Sequence, residues 1–304
     1  MNASIHTLQQ TLTLALTRLA PTRKGVLLAL LSTLLFTLVA TIVKRLSQSI
    51  DPIQILLFRQ LVFIALLLPG IIKAQSSLFK PKYKALHSAR IAGAFTALYC
   101  GFLTFAELPL ANATAIGFTQ VLFVAALSSL WLKEGVSNSR WLVLLTGFMG
   151  VCLVIQPNFS TQEIDYVAVG LLGALGAAIA VLCVRKLSGC ESKLAILSYQ
   201  AIAVGVMALI PSIAIWQWPT PEQWCWLVAV GVLSSLAQWV GVSAYHYAAA
   251  NVVANVEYMK ILYALVLGLV MFSEIPNSLA LLGAAMILLS PLLQQRRQLK
   301  GSNS

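Results

Sequence analysis

NVVANVEYMKILYALVLGLVMF, Asn251 to Phe272, is long enough to cross a bilayer and carries only two charges, Glu257 and Lys260. A charged group near the bilayer centre costs about 3 kcal/mol or more, so membrane chains keep one where it is paired or faces a polar cavity. Glu257 and Lys260 are spaced i, i+3, where side chains on one helix meet. The stretch predicts a spanning helix that holds either a structural ion pair or part of a solute path. The residues leave both open.

The rest of the chain is of the same kind. Of 304 residues, 59% are hydrophobic and 10% charged, against about 25% charged in a soluble domain. The apolar residues form long runs, which predicts a polytopic membrane protein. A net charge of +11 would point to nucleic acid if the basic residues clustered beside stacking aromatics. They sit instead in short connections between apolar runs. Cys100, Cys152, Cys183, Cys190 and Cys225 are odd in number and lack CxxC spacing, so they suggest neither a disulfide framework nor a zinc site.

Ten apolar runs follow one another at residues 25–43, 53–72, 89–106, 111–132, 141–156, 167–184, 194–216, 224–247, 251–272 and 279–293. Residues 1–22 read as an N-terminal tail or as a helix lying on the membrane surface, with Leu8, Leu12, Leu16 and Leu19 at helical spacing. With a cytoplasmic N-terminus, sixteen of the twenty Lys and Arg, Arg90 at the edge of the third run among them, fall on the cytoplasmic side; only Lys44 and Arg45 fall on the other, and Arg59 and Lys260 lie deep within spans. That bias predicts cytoplasmic termini. Trp131 and Trp141 then mark the inner boundary, and Trp216, Trp218, Trp224 and Trp226 the outer.

The chain also repeats. An ungapped shift of 140 residues pairs Arg45 with Arg185, Gln60 with Gln200, Tyr99 with Trp239, Gly101 with Gly241 and Glu134 with Glu274. The expected boundaries are 23–157 for the first repeat and 165–293 for the second, with a cytoplasmic tail at 294–304. Five spans in each half force opposite orientations, the plan of inverted-repeat secondary transporters with a solute site near midplane. The fold class expected is therefore all-α, with ten transmembrane helices in two inverted five-helix repeats.

LPLANATAIGFTQVLFVAALSSLWLKE (Leu108 to Glu134) and YAAANVVANVEYMKILYALVLGLVMFSE (Tyr247 to Glu274) resemble the closing spans of the two EamA domains in the drug/metabolite transporter superfamily. The resemblance runs from Gly25 to Leu293, and Lys260 stands where that pattern has a small or hydroxyl residue. It implies ten helices, a central cavity, alternating access and transport of small organic solutes in the bacterial inner membrane.

Candidate site residues are the polar and aromatic ones inside spans. Arg59 lies about 10 Å from one end of its span at 1.5 Å per residue, deep enough to need a partner or to attract an anionic or carbonyl-bearing solute. Glu257 is either a proton-sensitive coupling group or the partner of Lys260. Tyr99 and Trp239 occupy equivalent places and suggest facing cavity walls, with Tyr199 and Tyr258 adding ring surface for a flat heterocycle. Core packing explains the same rings. Gln120, with Gln60, Gln200 and Gln238, offers neutral donors and acceptors.

No constellation for catalysis appears. His6, His87 and His246 belong to no metal or nucleophile pattern, and no P-loop is present. No enzyme activity, cofactor, metal or nucleic-acid partner is expected. The partners expected are a small-molecule solute and membrane lipid. Gly170, Gly173 and Gly176 form a small-residue surface that serves close packing or a moving interface, and such faces also suit a homodimer. The leading reading is uptake of a planar vitamin such as riboflavin, with export of amino acids or related metabolites as the alternative. A non-transporting membrane sensor or assembly subunit is the reading from another class.

Overall fold

A computed structural model describes residues 20–78, 83–132, 138–156, 161–187, 190–247, 256 and 258–301. Ten helices stand among them: α1 (Pro21–Leu46), α2 (Pro52–Leu78), α3 (Lys84–Glu107), α4 (Leu110–Leu132), α5 (Asn138–Ile155), α6 (Thr161–Leu187), α7 (Lys193–Ala214), α8 (Pro221–Tyr247), α9 (Met259–Phe272) and α10 (Ser278–Gly301). Six are long and apolar enough to cross a membrane, and α4, α5, α9 and α10 contain shorter apolar stretches. All-helical architecture follows from the solvent: in hydrocarbon a helix satisfies its own backbone hydrogen bonds. Several hydroxyls inside the helices are satisfied the same way, as where Thr37 Oγ1 donates to the Thr33 carbonyl at 2.8 Å and Ser212 Oγ to that of Ala208 at 2.6 Å.

Several helices overrun the apolar runs. α3 starts at Lys84 and not at 89, α6 starts at Thr161 and not at 167, and α10 continues to Gly301 through the stretch read as a tail. Hydropathy marks the hydrocarbon layer, whereas a helix carries on into the interface, where polar side chains reach water. Residues 248–255 and 257, the expected start of the ninth span, lie outside the described residues, as do residues 1–19 and the side chains of Trp131 and Trp141.

Helix packing reproduces the duplication. α1 packs along α8 and α3 along α6; exchanging the halves turns one pair into the other. α4 with α6 and α9 with α1 are related in the same way, while α2–α7, α4–α9 and α5–α10 each map onto themselves. This is the contact pattern of two repeats about a pseudo-two-fold axis. Small residues allow the closest crossings. A Cβ on Gly176 of α6 would lie 2.7 Å from the Gly93 carbonyl oxygen of α3, and a Cβ on Gly283 of α10 would lie 2.5 Å from that of Gly150 on α5. The glycines of α6 are thus used for close helix packing.

One group of interhelix bonds lies at one end. Gln54 and Gln217 bond reciprocally at 2.7 and 3.1 Å, Gln223 Nε2 donates to Ser49 Oγ, and Gln156 pairs with Asn277. Lys44, Leu108, Leu110 and Glu274 join there as well, so this is called the Lys44 end. Phe58, Trp216, Trp218 and Trp224 form an aromatic group beside it.

Candidate functional site

The polar interior follows the α2–α7 axis and its neighbour α3. Arg59 on α2 is 4% exposed and donates from Nη1 to Oε1 of Gln60 at 3.1 Å. Arg90, read from sequence as part of a cytoplasmic connection, is buried inside α3 and donates to the Ile196 carbonyl and to Gln200 Oε1 on α7. Gln60 and Gln200 are repeat-equivalent, so each of the two amides accepts from a buried guanidinium. Buried polar groups cost free energy unless partnered, yet Gln60 Nε2, Arg90 Nε and Ser198 Oγ have no hydrogen-bond partner among the described residues.

One turn further, His87 Nε2 and Glu191 Oε2 lie 2.6 Å apart, and the His87 ring is 4.8 Å from that of Tyr199. Ser192 caps α7 by accepting the Ala195 amide at 3.2 Å, which fixes the turn carrying Glu191. Tyr199 therefore belongs to a polar tract across α3 and α7 with His87, Arg90 and Gln200, and Arg59 pairs with Gln60 on α2.

A second tract lies where α9 meets α1 and α4. Tyr258 stacks on Phe118 with centroids 5.3 Å apart and planes 7° from parallel, and Lys260 Nζ lies 5.7 Å from the Phe36 ring centroid. Gln120 is half-buried on α4, one turn from Gly117, which is exposed and has no atom within 4 Å of an added Cβ. Glu257 lies outside the described residues.

Trp239 is 66% exposed, on a stripe of α8 with the exposed Val228, Val232 and Leu236. Tyr99 stacks on Phe95 at 5.8 Å and packs against the core of α1, α2 and α3. Equivalence in sequence fixed the helix position but not the direction of the ring.

Sequence reading missed Lys44 and Glu274. Lys44 Nζ lies 2.8 Å from Glu274 Oε1 and donates to the Leu108 carbonyl at 2.6 Å, while Glu274 Oε2 accepts the Leu110 amide at 2.9 Å. Beside them is a cavity of about 570 Å³, lined by Asn112, Gln156, Asn277 and Glu274 among apolar residues of α4, α5, α6, α9 and α10. Lys44 read as a loop charge because it is 64 residues from Leu108 and farther still from Glu274. The signal available was the Glu134/Glu274 match across the repeat.

Duplicated five-helix units, a polar tract between them and closely crossed helices describe a carrier. Residues 23–156 and 166–293 each match the EamA-like transporter family. The chain belongs to this family. It is 29% identical to a pseudopaline exporter of Pseudomonas aeruginosa, over 88% of this chain and 94% of that one. It is 30% identical to a riboflavin transporter of Vibrio cholerae over 60% of this chain and 61% of the other, and 24% identical to an S-adenosylmethionine uptake transporter of Rickettsia bellii over 81% and 84%. A crystal structure superposes with a TM-score of 0.64 at 14% identity, over 90% of this chain and 94% of that chain, which shows the shared fold. The EamA protein is thus a multi-pass membrane protein and a secondary transporter of small metabolites, not an enzyme.

Proposed function

We propose that the chain moves a small, ring-bearing metabolite by alternating access around the two polar tracts, with riboflavin uptake as the leading assignment. The observation that carries this reading is the parallel Tyr258–Phe118 stack between α4 and the start of α9. Stacked rings offer a flat heterocycle a matching face. Arg59, Gln120, Tyr199, Glu257, Tyr258 and Lys260 are the proposed solute contacts. The proposed location is the bacterial inner membrane with both termini cytoplasmic, on the basic-residue bias.

Export of amino acids or related metabolites is the second reading. It is favoured by likeness to an exporter over 88% of the chain, against 60% for the riboflavin transporter.

Proteoliposomes containing the purified protein separate the two. Accumulation or counterflow of radiolabelled riboflavin supports uptake, and loss of that flux in Glu257→Gln at unchanged membrane expression supports Glu257 as a coupling or contact group. Flux of amino acids without riboflavin flux moves the assignment to export. No flux of any metabolite supports a sensor or assembly subunit.

A further inference from the structure

The Lys44 end holds an arrangement that the solute contacts leave unused. Lys44 ends α1 in the first repeat, and Glu274 follows α9 in the second. Their ion pair of 2.8 Å joins the halves, and the second carboxylate oxygen of Glu274 accepts the amide of Leu110, the first residue of α4. One carboxylate therefore ties together α1, α4 and α9. An anion at a helix N-terminus is further favoured by the helix dipole. The backbone is shaped to put it there. Ser273 adopts φ 55°, and the Glu274 amide donates to the Gly268 carbonyl at 3.0 Å, which folds the carboxylate back over α9. A Cβ on Gly268 would lie 2.7 Å from Glu274 Oε2, so a larger residue there displaces the carboxylate.

Below this bond Ala40, Leu110 and Ala264 pack into a plug from the same three helices. Leu110, Gly117 and Val121 share one face of α4, being seven and eleven residues apart on a helix of 3.6 residues per turn. Leu110 is 0% exposed, Gly117 is exposed and Val121 is 41% exposed. The face passes from buried to exposed within about 10 Å of helix rise.

We propose that Lys44, Glu274 and the α4 N-terminus form the gate that closes this carrier at the Lys44 end, and that the structure is the state closed there and open on the Gly117 side. The proposal rests on the alternating-access reading. Solute passage at this end requires the ion pair to part and α4 and α9 to separate from α1. The gate contributes a bias between two states and not a contact to solute.

Two reporters test it in the full chain in membranes: Ala40→Cys beneath the gate and Gly117→Cys on the open face. Each is labelled with a membrane-impermeant maleimide added to either side and read by mass spectrometry of the labelled peptide. Glu274→Gln weakens the pair; Gly268→Ala displaces the carboxylate while both charges remain. Each is expected to raise labelling at position 40 by about tenfold, the population shift from weakening one charge-assisted pair, and to lower labelling at position 117. Unchanged labelling at position 40, or a rise at both positions together, overturns the gate, the second because it reports a loosened fold. The labelling uses no solute, so a wrong substrate assignment leaves its outcome unaltered.

Discussion

His87 on α3 and Glu191 in the turn before α7 are joined by a 2.6 Å hydrogen bond, with both side chains more than nine-tenths buried. α3 belongs to the first repeat and α7 to the second, and Arg90 adds bonds from α3 to Ile196 and Gln200. The two repeats are therefore bonded by polar side chains away from the Lys44 end as well as at it.

Breaking the His87–Glu191 bond is expected to destabilise the protein. Glu191→Ala leaves both ring nitrogens of His87 without a partner among the described residues, since Nδ1 already has none. Removing one member of a buried pair costs about 3 kcal/mol. The melting temperature of the purified protein in detergent should fall for Glu191→Ala and His87→Ala. The double variant should lose less than the sum, because the two act on one interaction.

Glycines at helix crossings separate packing from open space. Gly176→Val is expected to prevent α6 from seating on α3, because its Cβ alone would meet the Gly93 carbonyl at 2.7 Å; overpacking of this kind costs about 1–3 kcal/mol or more. Gly101→Ala, on α3, meets no atom within 4 Å and should be neutral, or stabilising by up to about 1 kcal/mol from helix propensity. Folded yield and thermal melts of the two variants, side by side, check this.

The duplication and the number of helices were legible because hydrocarbon imposes them: apolar runs of spanning length and polar matches at one offset survive in a linear string. Facing directions were not. Trp239 shares a register with Tyr99 but is exposed where Tyr99 packs on the core, since neighbours in space decide which side of a helix is inside. Lys44 and Arg90 looked like connection charges because their partners, Glu274, Ile196 and Gln200, are more than 100 residues away. Arg59 was recognisable from its depth alone.

Trp239→Leu is expected to leave solute flux within about twofold of the parent, since a ring on an exposed apolar stripe of α8 is replaced by another apolar side chain. Tyr258→Ala removes the ring stacked on Phe118 and should lower flux at limiting solute by about tenfold, a base-stacking-sized loss of about 1–3 kcal/mol. Initial rates in proteoliposomes at several solute concentrations compare the two. Equal loss in both variants would contradict the assignment of the aromatic wall to α4 and α9.

Arg59 offers a test in which stability and transport separate. Its guanidinium is buried, and the hydrogen bond it makes is to the neutral amide of Gln60. Replacing a desolvated charge by an apolar side chain of similar length is often neutral or stabilising, by about 1–4 kcal/mol in buried ion sites. Arg59→Met should therefore keep or raise the melting temperature while abolishing flux, because a carbonyl or carboxylate on the solute loses its donor. A structural arginine gives the reverse: a lower melting temperature, with flux per folded molecule retained. Arg59→Lys divides the question further. It keeps the charge but loses the planar fork, so partial flux with a raised KM is expected if Arg59 binds the solute.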